Sequence, residues 1–211
     1  MNTASRISGR RALLVGVALI IVAMIPVIWV VTHRPHDPNL TDLGVVPPFS
    51  LVDDRGEPIN QDVFRGHPTI VSFFFTRCDT ICPITTMKME HLQELTFDVG
   101  SKVKLVSFSV DPKYDTPARL EEYATRYKAD PKRWRFITGP YDEIYRLVEG
   151  PFMSSMMREP DRPNGVPNIA HGGYFLLVDG HLHIRGVYDS NDVHRLDAMN
   201  RDARYLARTQ K

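Results

Sequence analysis

Cysteine is nearly absent: only Cys78 and Cys82 occur in 211 residues. Two are too few for a disulfide framework or a four-thiolate zinc site. A lone close pair is what a redox centre or a soft-metal site requires. The chain also lacks an excess of either charge, with a formal net charge of +1 and scattered Lys and Arg. Nucleic acid as a partner therefore has no compositional support. No internal repeat or low-complexity tract interrupts the chain, whose length suits one domain of ordinary size with a core of its own, plus a short extra segment.

Uncharged apolar sequence is concentrated at the start. From Ala12 to Thr32 the run ALLVGVALIIVAMIPVIWVVT carries no charge, and roughly 20 such residues span a bilayer core. An uncleaved transmembrane anchor over 12–32 is expected, because the run is longer than a signal-peptide core and no clear cleavage site follows. Arg6, Arg10 and Arg11 precede it, whereas Arg34 is the only strong base close behind. The positive-inside rule then places 1–11 in the cytoplasm and everything downstream on the outer, periplasmic face of the cytoplasmic membrane. Residues 33–47, rich in Pro and polar side chains, read as a tether. Within it, His33 and His36 read as solvated.

The remainder, 48–211, reads as a single α/β domain. Phe49–Val52, the turn chemistry of Asp53–Pro58 and the extended start at Ile59 predict a hairpin. Thr69–Phe75 and Lys104–Val110 are continuous β-branched and aromatic runs, as in strands buried on both faces. A helix is expected after Pro83, with Ile84, Met87, Leu92 and Leu95 at helical spacing. Thr116 as N-cap and Pro117 at the first helical position predict a second helix. A short strand over 133–138 and a helix over 141–149 follow. Gly150–Ala170 has turn residues, Met153, Met156 and Met157, and no sustained period, so it reads as an excursion over the surface. Two strands flanking Asp179-Gly180, with His181 and His183 exposed at the turn, predict a hairpin. An amphipathic helix over 191–208 closes the chain. This order is that of a thioredoxin-like domain with an N-terminal hairpin extension, a statement about fold alone.

Cys78 and Cys82 stand where the first buried strand gives way to a helix. The helix dipole and amides there favour thiolate, which is both the nucleophile and the metal-binding form. Two chemistries stay open: a dithiol that closes to a disulfide, and a soft chelate for Cu(I). A purely structural disulfide stabilises little when the loop is so short. Among eight histidines, His171 lies just before the strand Gly173–Val178. In a thioredoxin-like fold that turn faces the cysteine turn, so an imidazole there completes a Cys2His site suited to Cu(I), Cu(II) or Zn(II). The competing reading is a polar loop residue.

Three ordered motifs carry a resemblance to a known family: Phe74-Phe75-Thr76-x-Cys78-x-x-x-Cys82-Pro83, then Ser109-Val110-Asp111-Pro112-x-x-Asp115-Thr116, then His171 ahead of Tyr174–Asp179. Together they resemble the Sco (SenC) family of membrane-tethered, thioredoxin-fold copper proteins. The resemblance implies that Cys78, Cys82 and His171 ligate one copper ion per domain, as Cu(I) or Cu(II). It further implies a metallochaperone that delivers copper to, or matures, the binuclear copper centre of a cytochrome c oxidase subunit. Other periplasmic copper chaperones or a thioredoxin-like reductant would be further partners. The alternatives are a thiol-disulfide oxidoreductase in which Cys78 and Cys82 reduce the oxidase cysteines, and a copper or redox sensor. One departure stands out: the family commonly has Pro then Asp after the first Cys, whereas Asp79 and Thr80 follow here, which alters the charge and stiffness of the loop. Asp111 and Asp115 are explained by turn and cap chemistry, with a role at the rim of the site as the second reading. Phe73–Phe75 and Trp134 are assigned to the core, and the three methionines to packing or a partner contact. A peroxiredoxin is disfavoured, since the residues three before each cysteine are Phe75 and Asp79 where that family has Thr. The spacing also departs from the Cys-x-x-Cys of ordinary thioredoxins.

Overall fold

The computed structural model describes residues 17, 19, 20, 22–26, 40–152, 157–159, 168–170 and 173–210. The chain forms two compact units, Met1–Asp37 and Pro38–Lys211. In the first, the described residues are helical and solvent-facing. Most of the span expected to cross a membrane lies outside the described residues, and among those described no helix is long and apolar enough to do so. His33 and His36 also lie outside them.

The second unit is built on a seven-stranded mixed sheet of order β2-β1-β5-β4-β3-β8-β9. Its strands are β1 (Ser50–Asp53), β2 (Pro58–Asn60), β3 (Thr69–Phe74), β4 (Lys104–Ser109), β5 (Trp134–Thr138), β8 (Tyr174–Val178) and β9 (Ile184–Asp189). Strands β3, β4 and β5 are mutually parallel, and β8 returns antiparallel to β3. All six residues of β3 are buried, which is why that stretch is apolar without alternation. Helices α1 (Ile81–Leu95), α2 (Pro117–Arg126), α3 (Tyr141–Glu149) and α4 (Val193–Thr209) cover the sheet, with α1 against β3, α2 against β5 and α4 against β9. Successive phenylalanines of β3 feed the two sides. Phe73 meets Phe108 and Phe152, while Phe74 stacks on Tyr123 and abuts Phe136. Each fully buried ring contributes about 1.5–3 kcal/mol. The polar residues in this layer are paired: Ser72 bonds Ser107 at 2.7 Å, and the Trp134 indole donates to Ser107 at 2.9 Å.

Several expectations need correction. Along α1 the buried positions are Cys82, Thr85, Thr86, Met89 and Leu92, whereas Ile84, Met87 and Leu95 are exposed; of the four apolar positions at helical spacing, Leu92 alone faces the core. The stretch 150–170 is not without structure: β6 (Met157–Glu159) pairs antiparallel with β7 (Asn168–Ala170), and Phe152 is wholly buried. Met153 and Met156 lie outside the described residues. The hairpin after β8 closes through five residues, not two, since Val178 pairs with Ile184. Its Asp179 carboxylate accepts the amides of His181 and His183, and Leu182 takes the left-handed conformation at φ 73°. His183 is half-buried and bonds Asp42 at 2.9 Å. That contact belongs to a longer one. Residues 40–46, read as tether, lie along the start of β9 and the loop before it, the Leu43 amide donating to the Ile184 carbonyl and the Val46 amide to that of Leu182, and Val46 is buried.

Candidate metal and redox site

The carboxyl end of β3 delivers the chain into Phe75–Thr80, and α1 begins at Ile81. Thr80 caps that helix by position, without a side-chain hydrogen bond. One first-turn donor is met by sulfur instead: the Cys82 N–H points at Cys78 Sγ at 3.4 Å. The Cys78 N–H donates back to the Phe75 carbonyl at 3.2 Å, which tightens the turn. Pro83, inside the first turn of α1, has no N–H to leave unmet. Both cysteines are thiols, and they differ in environment. Cys78 is half-buried, with the Thr80 hydroxyl 3.7 Å from its sulfur. Cys82 is completely buried, and its thiol is pushed far up, first by desolvation and then by its hydrogen bond to Cys78. The outer sulfur is thus positioned to meet a partner, and the inner one to complete either a disulfide or a chelate behind it.

The loop before Cys78 is held by two aspartates from the β4–α2 connection. Asp115 is fully buried. One of its carboxylate oxygens accepts the Thr76 N–H at 3.0 Å and the Ser109 hydroxyl at 2.5 Å, and the other accepts the Thr76 hydroxyl. Burial raises its pKa, and the bonds from Ser109 and Thr76 offset part of the rise. Asp111 accepts from Arg77 Nε at 2.6 Å. The expectation of cap chemistry at Asp115 is therefore overturned. Its carboxylate braces the cysteine loop instead of capping α2, and Thr116 makes no side-chain cap bond. Asp111 does make the expected turn, its carbonyl accepting the Tyr114 and Asp115 amides at 3.0 and 2.9 Å. On the helix side, the Thr86 hydroxyl donates to the Cys82 carbonyl and bonds the Tyr123 hydroxyl, both at 2.8 Å. Sequence reasoning missed Thr76, Ser109 and Thr86, although the first two lie inside the quoted motifs.

His171 lies outside the described residues, so Cys78 and Cys82 are the site residues that the structure brings together. Among the described residues no group of three or more His, Cys, Asp or Glu forms a metal cluster. Two residues beyond His171, Gly173 backs onto the cysteine loop. A Cβ built there would stand 3.2 Å from Ile81 Cδ1 and 3.0 Å from the Ser190 hydroxyl. Gly173→Ala will therefore displace Ile81 by a few tenths of an ångström and alter the rate at which Cys78 reacts with a neutral disulfide by about threefold, a change read by stopped flow.

Two sulfurs at the carboxyl edge of a mixed sheet, one half-buried and one buried, define a thioredoxin-like domain with a Cys-x-x-x-Cys dithiol suited to redox exchange or to a soft metal. The SCO1/SenC family model matches residues 39–207, and the chain belongs to that family. It is 32% identical to the SCO1 protein homolog of Bacillus subtilis over 134 residues, 63% of this chain and 67% of that one. A solved structure of BsSco, described with a disulfide switch and as a member of the Sco family of cytochrome c oxidase assembly proteins, aligns with a TM-score of 0.68. The two are 27% identical, over 82% of this chain and 98% of the other. The fold is also that of Bradyrhizobium japonicum ScoI with copper bound, at TM-score 0.66 and 21% identity over 77% of this chain and 99% of the other.

Proposed function

We propose that this chain is a copper-binding metallochaperone that delivers copper to, or matures, the binuclear copper centre of a membrane cytochrome c oxidase. The observation that carries the proposal is the paired geometry of the sulfurs, with Cys78 Sγ over the Cys82 amide at a helix start. In this reading Cys78, Cys82 and His171 hold one copper, which leaves by ligand exchange to thiolate and imidazole donors of the acceptor. Membership of the SCO1/SenC family and the copper-bound relative support copper as the cargo. The place of BsSco among cytochrome c oxidase assembly proteins supports the oxidase as the acceptor. An anchor over 12–32, with 1–11 cytoplasmic, would hold the domain from 48 onward beside a membrane-bound acceptor on the outer face. Asp111 and Asp115 are assigned to positioning the cysteine loop.

A second reading is favoured by the inner–outer arrangement of the thiols and by the disulfide switch described for BsSco. It is a thiol-disulfide oxidoreductase that keeps the acceptor cysteines reduced. In it, Cys78 thiolate attacks the acceptor disulfide and one acceptor thiol leaves. Cys82 then attacks Cys78, releasing the second thiol and closing Cys78–Cys82, with its proton passing to solvent.

His171→Ala is expected to weaken Cu(II) by more than about 100-fold, beyond the cost of losing an outer-shell partner. Cu(I), which two thiolates satisfy, should weaken by less than about tenfold. Competition titrations of the full chain with each ion measure both, and unchanged Cu(II) affinity refutes the three-ligand assignment. To separate the two readings, the copper-loaded chain and the reduced copper-free chain are each mixed with an oxidase copper-centre domain. Action by the copper-free form alone, as loss of the acceptor disulfide, defeats the chaperone reading.

A further inference from the structure

A cleft of about 190 Å³ opens on the side of the cysteine loop that faces α2, lined by Thr76, Arg77, Tyr114, Arg119, Glu122, Tyr123 and Arg126. Its floor is tied to the site already described, because Thr76 and Arg77 immediately precede Cys78 and Tyr123 bonds Thr86 behind Cys82. Three guanidinium groups and one carboxylate line this small volume. Two of the three are oriented by one ring: Arg77 lies over Tyr114 at 4.5 Å from its centroid, and Arg119 at 3.9 Å. Arg119 is further held by its bond to the Tyr114 carbonyl at 2.6 Å, and Arg77 by its pair with Asp111. Stacking of this kind orients a planar donor fork without consuming all its N–H groups. Arg126 stands one turn beyond Glu122 on α2, on the exposed side of that helix.

We propose that this cleft is a carboxylate subsite: it takes an acidic side chain of the protein that exchanges thiols or metal with Cys78 and so sets that protein's orientation. The inference rests on Cys78 being the reacting sulfur, and deepens that reading by naming the chemistry of the partner. The reason for a carboxylate is geometric and electrostatic. Planar forks held by an aromatic face match a planar, bidentate anion. With Asp111 neutralising Arg77, the remaining lining of Arg119, Arg126 and Glu122 is still net positive. In a cleft that includes the two residues before Cys78, this charge raises the local concentration of anionic partners and speeds their encounter.

The test uses the reduced, copper-free full chain and two small disulfides as probes, the dianionic dithiobis(nitrobenzoate) and the uncharged dithiodipyridine. With either, Cys78 thiolate attacks one sulfur and releases one aromatic thiol. Cys82 then displaces the second, loses its proton to solvent and leaves the Cys78–Cys82 disulfide. The variant is Arg119→Gln/Arg126→Gln, both side chains being exposed. In low salt it should slow the dianionic probe by about tenfold and leave the uncharged one unchanged. The difference should vanish in about 1 M salt, where the screening length falls to roughly 3 Å. Equal slowing of both probes overturns the subsite, because the arginines would then act on Cys78 itself or on the fold. No slowing of either overturns it as well. Copper titration of the unsubstituted chain separates this inference from the chaperone reading: a chain that binds no copper defeats that reading whatever the probes show, whereas a failed probe test with copper affinity intact defeats the subsite alone.

Discussion

Asp115→Ala will lower the unfolding free energy of the domain by about 3 kcal/mol and loosen the loop that carries Cys78. The carboxylate is wholly buried and receives three hydrogen bonds, from the Thr76 N–H, the Thr76 hydroxyl and the Ser109 hydroxyl. Truncation strands those donors, and each buried unsatisfied donor costs about 1–3 kcal/mol. The gain from no longer burying an acid offsets part of that sum. Asp115→Asn keeps the volume, and its NH2 can take the place of the oxygen that meets only the Thr76 hydroxyl, a group that accepts as well as donates, so it should recover more than half of the loss. Asp111→Ala removes a pair whose Arg77 partner is 27% exposed, and the expected cost is below about 1 kcal/mol. Urea midpoints order the three variants. Cys78 reactivity toward an uncharged disulfide reads the loop separately: it should rise in Asp115→Ala more than in Asp111→Ala. Equal midpoints for the two alanine variants would remove Asp115 from its bracing role.

The second large effect is alkaline unfolding of the reduced protein. Cys82, Tyr123 and Tyr188 are all raised well above their ordinary values, in each case first by burial. Such groups keep their protons in the folded state, while the unfolded chain releases them near pH 9.0 for the thiol and 10.0 for the phenols. Their contribution is therefore fully present below those values and is lost as pH rises. Each group costs about 1.4 kcal/mol per pH unit beyond its unfolded value, so the three together remove on the order of 5 kcal/mol by about pH 11. That is comparable with the whole stability of many domains. Melting temperatures taken from neutral to alkaline pH should fall steeply above about pH 9. Cys82→Ala should remove about half of the fall and Tyr123→Phe about a quarter. A flat profile would show that these groups ionise in place.

The placement of the two thiols was legible in one dimension because it is local. A strand buried on both faces is apolar without alternation except where a polar side chain finds a partner, as Ser72 does in Ser107, and two thiols at a strand-to-helix turn lie close whatever surrounds them. For that reason β3, β4, the parallel βαβα core and the pair Cys78–Cys82 could be read directly. The hairpin after β8 was legible as an event but not in its length, because Asp179 bonds two amides and converts a two-residue turn into a five-residue loop. The face of α1 was misread for a different reason. Its first turn is set by the geometry of entry from the cysteine loop, which rotates Cys82, Thr86 and Met89 inward and leaves Ile84 and Met87 outside. Apolar spacing cannot register that rotation.

Donor type and near spacing are properties of the covalent chain, and they alone placed the thiols of Cys78 and Cys82 together. How those thiols are held, Cys78 half-buried and Cys82 buried, follows from the tertiary structure. Asp115 lies 39 residues from Thr76, and what it does follows from the parallel pairing of β3 with β4, which sets their carboxyl ends side by side. The fold also brings two arginines of α2 into one cleft with Thr76 and Arg77, the two residues before Cys78, and it buries one sulfur while leaving the other half-buried. Relations across such distances are fixed by the sheet register and by burial, which no local pattern of residues encodes.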